Sequence, residues 1–152
     1  MKLFFCFLVS LCLFFRAVAQ DNVLPAGLPV GTVVPGLRLE PVAGGPGKGV
    51  SLGDLQGKLV VIDFWATWCG PCMHEAPHMV ALNQKYADKG LQIIGVSLDQ
   101  EKNAMIQVAR ASGFTWPQYF DGGGWDNKLA KAWGIQGIPR TFLISPDGVV
   151  LW

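Results

Sequence analysis

The chain has 152 residues and a formal net charge of +1, with half its residues hydrophobic and only 15 % charged. That length holds one domain with one sizeable core. The near-neutral balance, with no stripe of Lys and Arg, argues against nucleic acid, whose phosphates demand clustered cations.

Met1-Lys2 opens the chain with a positive charge, Leu3 to Phe15 is almost wholly apolar, and Ala17-Val18-Ala19 ends the run in small residues. This is the pattern of a secretory signal over residues 1–19, cleaved before Gln20. The apolar run is shorter than the roughly 20 residues that span a bilayer. A retained anchor at residues 3–15 is the alternative, and a lipoprotein site at Cys12 fits poorly behind bulky Leu11. Loss of residues 1–19 leaves the remainder at a net charge of −1. Residues 20–36, rich in Pro and Gly, read as an extended lead-in to a domain over 37–152.

Leu37 to Val42 and Gly49 to Leu52 read as a hairpin joined through Gly44-Gly45-Pro46-Gly47. Leu59 to Trp65 is apolar and β-branched except for Asp63, which suits a central strand covered on both faces. A helix is expected from Cys69 to about Ala87, with Pro71 harmless in its first turn and Pro77 expected to kink it. Lys89-Gly90 ends it. Leu91 to Leu98 reads as the next strand and Gln100 to Ala111 as a second helix, closed by Ser112-Gly113. Thr115 to Phe120 is a short extended segment. Asp126 is the expected N-cap of a short helix reaching Trp133. Arg140 to Ser145 and Val149 to Trp152 form a hairpin across Pro146-Asp147-Gly148. Alternating strands and helices predict an α/β fold, a central mixed sheet flanked by helices, with an N-terminal hairpin extension.

Four cysteines are present, and two of them, Cys6 and Cys12, fall in the signal segment. Cys69 and Cys72 remain. A bond between residues three apart closes almost no loop, so it adds little stability through chain entropy. Reversible redox chemistry explains the pair better. At the start of a helix, free N–H groups and the helix dipole favour a thiolate at Cys69. That role asks for an exposed Cys69 sulfur. Cys72, one turn on, is placed to attack a mixed disulfide. Asp63 is a charge inside an apolar strand; desolvation raises its pKa, and it is a candidate proton relay for Cys72. The other reading of Asp63 is an acid that faces a loop or water and only tunes stability. Glu75 either tunes Cys72 or is an acid favoured early in a helix. Pro139, after Gly137-Ile138, is a candidate cis proline.

The run Val61-Ile62-Asp63-Phe64-Trp65-Ala66-Thr67-Trp68-Cys69-Gly70-Pro71-Cys72, with Pro77 and Gly137-Ile138-Pro139, resembles the thioredoxin superfamily. The signal segment, Glu75, the helix over 100–111 and Pro139-Arg140-Thr141-Phe142-Leu143-Ile144 resemble its exported TlpA/ResA-like branch. The resemblance covers roughly residues 36–152. It implies a thioredoxin fold and an extracytoplasmic thiol–disulfide oxidoreductase that reduces disulfides of exported proteins. It implies Cys69 as nucleophile, Cys72 as resolving cysteine and Asp63 as the buried acid. Pro139 becomes the cis proline facing the disulfide, and the Ile138 backbone pairs with substrate. Trp68, Gly70 and Pro71 complete the substrate-facing surface. Gly-Pro between the cysteines resembles reducing members. A membrane thiol donor or acceptor is implied as a partner, and a monomer without cofactor is expected. Arg140 departs from the family, where a small or hydroxyl residue is common after the cis proline. Family domains usually continue to a C-terminal helix, so a chain ending at Trp152 is read as truncated or a fragment. An exposed apolar patch, or a partner covering it, is expected on the face that helix would cover.

Competing readings are a thiol peroxidase and a non-enzymatic metal-binding or chaperone module. A peroxidase needs a Thr one helical turn before its cysteine, and Thr67 is too close to Cys69. A zinc site from Cys69, Cys72, His74 and His78 is disfavoured, because His74 lies about 200° around the helix from Cys72. Trp116, Trp125, Trp133 and Trp152 are expected to be packing residues rather than a cofactor box.

Overall fold

The computed structural model describes residues 27–34, 38–39, 42–48, 50–51 and 55–152. The expected signal segment 1–19 and the first part of the lead-in lie outside them. Among the described residues no helix is long and apolar enough to cross a membrane.

β1 (Arg38–Leu39) and β2 (Val50–Ser51) pair antiparallel as the expected hairpin. The main sheet contains β3 (Leu59–Trp65), β4 (Leu91–Ser97), β5 (Gln118–Tyr119) and β6 (Arg140–Ile144), in the order β5-β4-β3-β6. β4 runs parallel to both β3 and β5, whereas β6 is antiparallel to β3. The helices are α1 (Gly70–Tyr86), α2 (Lys102–Ala111) and α3 (Lys128–Ala132). This is the expected mixed α/β sheet.

β3 is central, and all its residues after Leu59 are buried, which is why its sequence reads as a nearly unbroken apolar run. Side chains alternate across the sheet. Ile62 and Phe64 share one face with Phe142, where Phe64, Phe142 and Trp133 pack ring against ring at 5.1–6.0 Å. Val61 and Asp63 share the other face with Leu143 and Thr141, their register partners on β6. Gly95 on β4 has no room for a side chain. A Cβ there would stand 2.0 Å from Gln118 Oε1, the atom that accepts a hydrogen bond from Trp65 Nε1.

α1 runs on through Pro77 before a 3₁₀ turn at Ala87–Lys89. Gly90, at φ +93°, then reverses the chain, as Lys89-Gly90 predicts. The N-cap of α3 is Asn127, not the expected Asp126. The buried Asn127 side chain accepts bonds from the Leu129 and Ala130 amides. Asp126 sits one residue earlier, in a 3₁₀ turn on the surface, and pairs with Lys131.

Residues 27–34 of the lead-in are bound to the domain. Val33 bridges Val149, Val34 donates to the Gly148 carbonyl, Gly31 donates to the Val150 carbonyl, and the Val150 amide donates to the Thr32 carbonyl. The C-terminal hairpin forms as expected, with Ile144 bridging Val150. Residues 31–34 thus pair with the hairpin strand that lies beside β6.

Candidate active site

β3 ends at Trp65, and α1 begins at Gly70. The four residues between them carry the chain from the sheet to the helix and set the cysteines. Asp99 holds this turn. Both its carboxylate oxygens accept from the Thr67 amide, and Oδ1 also accepts from the Thr67 hydroxyl at 2.7 Å. Ser97 Oγ donates to Asp99 Oδ2. Asp99 is buried, and these bonds compensate its lost hydration. Nothing in the sequence marks Asp99, because an Asp after a strand looks like ordinary loop chemistry.

Cys69 is the N-cap of α1, and its Sγ accepts the Cys72 amide N–H at 3.2 Å. Pro71 lies in the first turn, where its missing N–H would have had no helical partner. The two sulfurs are joined in a disulfide. Sequence reasoning asks for an exposed sulfur at Cys69, and that expectation needs correction. Cys69 and Cys72 are each 5 % exposed.

Asp63 is 7 % exposed and accepts a bond from Thr141 Oγ1 at 3.1 Å. Burial pushes its pKa up to about 6; the Thr141 bond works against the rise, and the nearby negative charge of Glu75 adds to it. Asp63, Cys72 and Glu75 open onto one cleft of about 600 Å³ together with Pro139 and Thr141. The Ile138-Pro139 peptide is cis, as expected. Pro139 is exposed, Ile138 half-buried, and Gly70 and Trp68 are exposed. The structure therefore brings Asp63, Cys72, Glu75 and Pro139 to one cleft, with Trp68 outside it. Arg140 lies at this cleft, its guanidinium 5.4 Å from the Phe142 ring centre.

The same cleft carries exposed apolar side chains. Val30 and Trp152 line it, and Trp152 is 72 % exposed. Of the tryptophans expected to pack, Trp116 and Trp133 are buried and Trp152 is exposed. Trp125 is 49 % exposed and lies against Trp68, with ring centres 5.9 Å apart. His74 and His78 are exposed on α1. Among the described residues, no group of three or more His, Cys, Asp or Glu is placed to hold a metal.

Residues 30–152 match the AhpC/TSA family. The chain belongs to the AhpC/TSA family. One relative of this AhpC/TSA chain is the thiol-disulfide oxidoreductase ResA of Bacillus thuringiensis strain Al Hakam. It is 38 % identical over 105 residues, which are 69 % of this chain and 59 % of the relative. The chain thus spans less than two thirds of that curated relative. Among solved structures, the thioredoxin domain of a thiol-disulfide oxidoreductase from Bacteroides vulgatus superposes with a TM-score of 0.67 at 28 % identity, over 82 % of this chain and 86 % of that one. A thiol-disulfide oxidoreductase from Bacteroides fragilis gives 0.69 at 26 %, over 80 % and 88 %. The fold of this AhpC/TSA protein is the thioredoxin fold expected from its motifs.

Proposed function

We propose that this protein is an extracytoplasmic thiol–disulfide oxidoreductase that reduces disulfides in exported proteins. The observation that carries the reading is the Cys69–Cys72 bond at the first turn of α1, with Cys69 as the cap. A bond that closes so short a loop serves chemistry better than stability. The names of the relatives support the same reaction. The apolar start of the chain supports export.

In the reduced protein the Cys69 thiolate, favoured by the amides of the first turn, attacks one sulfur of the substrate disulfide. A Cys69–substrate mixed disulfide forms, and the other substrate sulfur leaves as a thiolate. Cys72 gives its proton to Asp63 and attacks Cys69 Sγ. The second substrate sulfur leaves, and the Cys69–Cys72 disulfide closes. Two electrons pass from protein to substrate, and the two leaving thiolates take up the protons that the cysteines lost. A pKa near 6 suits Asp63 to accept and release a proton close to neutral pH. A thiol donor at the membrane then restores the dithiol. The Ile138 backbone, the exposed Pro139 and Gly70-Pro71 form the surface against which an extended substrate lies.

The reading is tested by trapping. Cys72→Ser should accumulate a mixed disulfide between Cys69 and substrate, visible by mass spectrometry under non-reducing conditions. Cys69→Ser should abolish turnover. Turnover that survives Cys69→Ser overturns the mechanism. The direction is read by titrating Trp68 fluorescence against dithiothreitol and glutathione: a potential in the range of reducing thioredoxins supports a reductant, a strongly oxidising one removes it. The peroxidase alternative gains nothing here, because the Thr67 hydroxyl is committed to Asp99.

A further inference from the structure

On the side of the cysteine motif marked by Trp68, a second cleft of about 510 Å³ is lined by Trp68, Trp125, Glu101, Gln100, Thr67 and Ala104. Trp68 is 55 % exposed, so this pair leaves two large aromatic faces in water beside the residue that precedes Cys69. Exposed aromatic surface of that size, next to a reactive group, marks a contact surface. The pair is also held in place on both sides. Asp99 fixes Thr67 and with it the start of the Trp68 turn. Asp121 fixes the other loop by accepting from the Gly123 amide, Asn127 Nδ2 and the Lys128 amide. Gly124, at φ +57°, brings this loop down on Gln100, where a Cβ would meet Gln100 Cγ at 3.3 Å. Ordering both rings beforehand lowers the entropy cost of binding.

The charge at this cleft is unbalanced. Glu101 is exposed at the N-cap of α2, but its side chain makes no capping bond. Among the described residues it forms no ion pair, whereas neighbouring Asp126 is already paired with Lys131 at 2.6 Å. No Lys or Arg among the described residues stands over either Trp ring. Two indole faces and a carboxylate without an ion pair among the described residues favour a cation, by cation–π attraction and charge.

We propose that this cleft is a specificity site for a basic side chain, Arg or Lys, lying beside the reacting cysteine of a polypeptide substrate. The inference rests on the exchange reaction above and adds which substrates are preferred. Both wings of the site act on the rate of mixed-disulfide formation, since Trp68 adjoins Cys69 in the chain.

The test uses the reduced full chain in single turnover on three disulfides. Two are cysteine peptides that differ only in the residue after the cysteine, Arg in one and Glu in the other. The third is the small neutral 2-hydroxyethyl disulfide. The Arg peptide is expected to react about fivefold faster than the Glu peptide at low salt, with the gap narrowing as salt is added. Glu101→Gln keeps the length of the side chain, and Trp125→Leu keeps an apolar one; each should bring the ratio toward one while the rate on 2-hydroxyethyl disulfide stays unchanged. A ratio untouched by both substitutions overturns the proposal, as does a Glu peptide that reacts as fast as the Arg peptide. If none of the three disulfides reacts, the exchange reading itself falls and the inference falls with it.

Discussion

Asp63 has a consequence that can be measured without any substrate. Its carboxyl is raised from 3.8 to about 6, so the folded protein holds that proton more tightly than the unfolded chain does. The stability that goes with it is complete below pH 3.8 and is lost as pH rises through about 6. The size is about 3 kcal/mol at neutral pH, from about 1.4 kcal/mol per unit. Urea unfolding of the oxidised protein should therefore show Asp63→Asn more stable than the parent at pH 8 by a few kcal/mol, on the order of that shift. The advantage should shrink toward pH 4. The same substitution should slow disulfide exchange near neutral pH, and an unchanged pH–rate profile would remove Asp63 from proton transfer. Thr141→Val deletes the bond that opposes the rise, so the acid limb of the profile should move to higher pH.

Among the elements, the turn between β3 and α1 depends on one buried acid. Asp99→Ala removes every side-chain acceptor that Thr67 and Ser97 use, and should cost about 3 kcal/mol in denaturant unfolding, as loss of a buried charged hydrogen-bonding group does. On β4, Gly95→Ala forces a methyl into Gln118 and breaks its bond with Trp65. A loss of about 2 kcal/mol is expected, with a shift in tryptophan fluorescence that reports the broken Trp65 contact. The short helix α3 shows how a cap is chosen. Asp126 and Asn127 both have side chains suited to capping, and only the second turns inward to reach two amides. Spacing along the chain does not distinguish them.

For the molecule as a whole, the N-terminal segment completes the sheet. Val34, Gly31 and Val150 contribute three backbone bonds between residues 31–34 and the C-terminal hairpin, and a Cβ on Gly27 would collide with the Phe142 ring. Deleting residues 1–34 should lower stability by about 3 kcal/mol, at roughly 1 kcal/mol per bond, as read from the denaturation midpoint. A chain as stable as the parent would show that this pairing contributes nothing.

Much of the fold can be read from the amino acids alone. β3 is legible residue by residue from Leu59 to Trp65, because a strand covered on both faces must be apolar throughout. The helix after Cys69, its end at Gly90, and the cysteine pair at its first turn follow from local rules of capping and φ that involve only neighbouring residues. Asp63 stood out for the same local reason, a charge among apolar neighbours. Contacts between residues far apart in the chain come from the folded arrangement instead. Asp99 reaches back 32 residues to Thr67, and Thr141 reaches 78 residues to Asp63. Trp125 meets Trp68 instead of packing inside, and residues 31–34 join a hairpin near the other end of the chain. Periodicity reports whether a side chain is buried, but the partner it meets is set by how the sheet brings distant strands together.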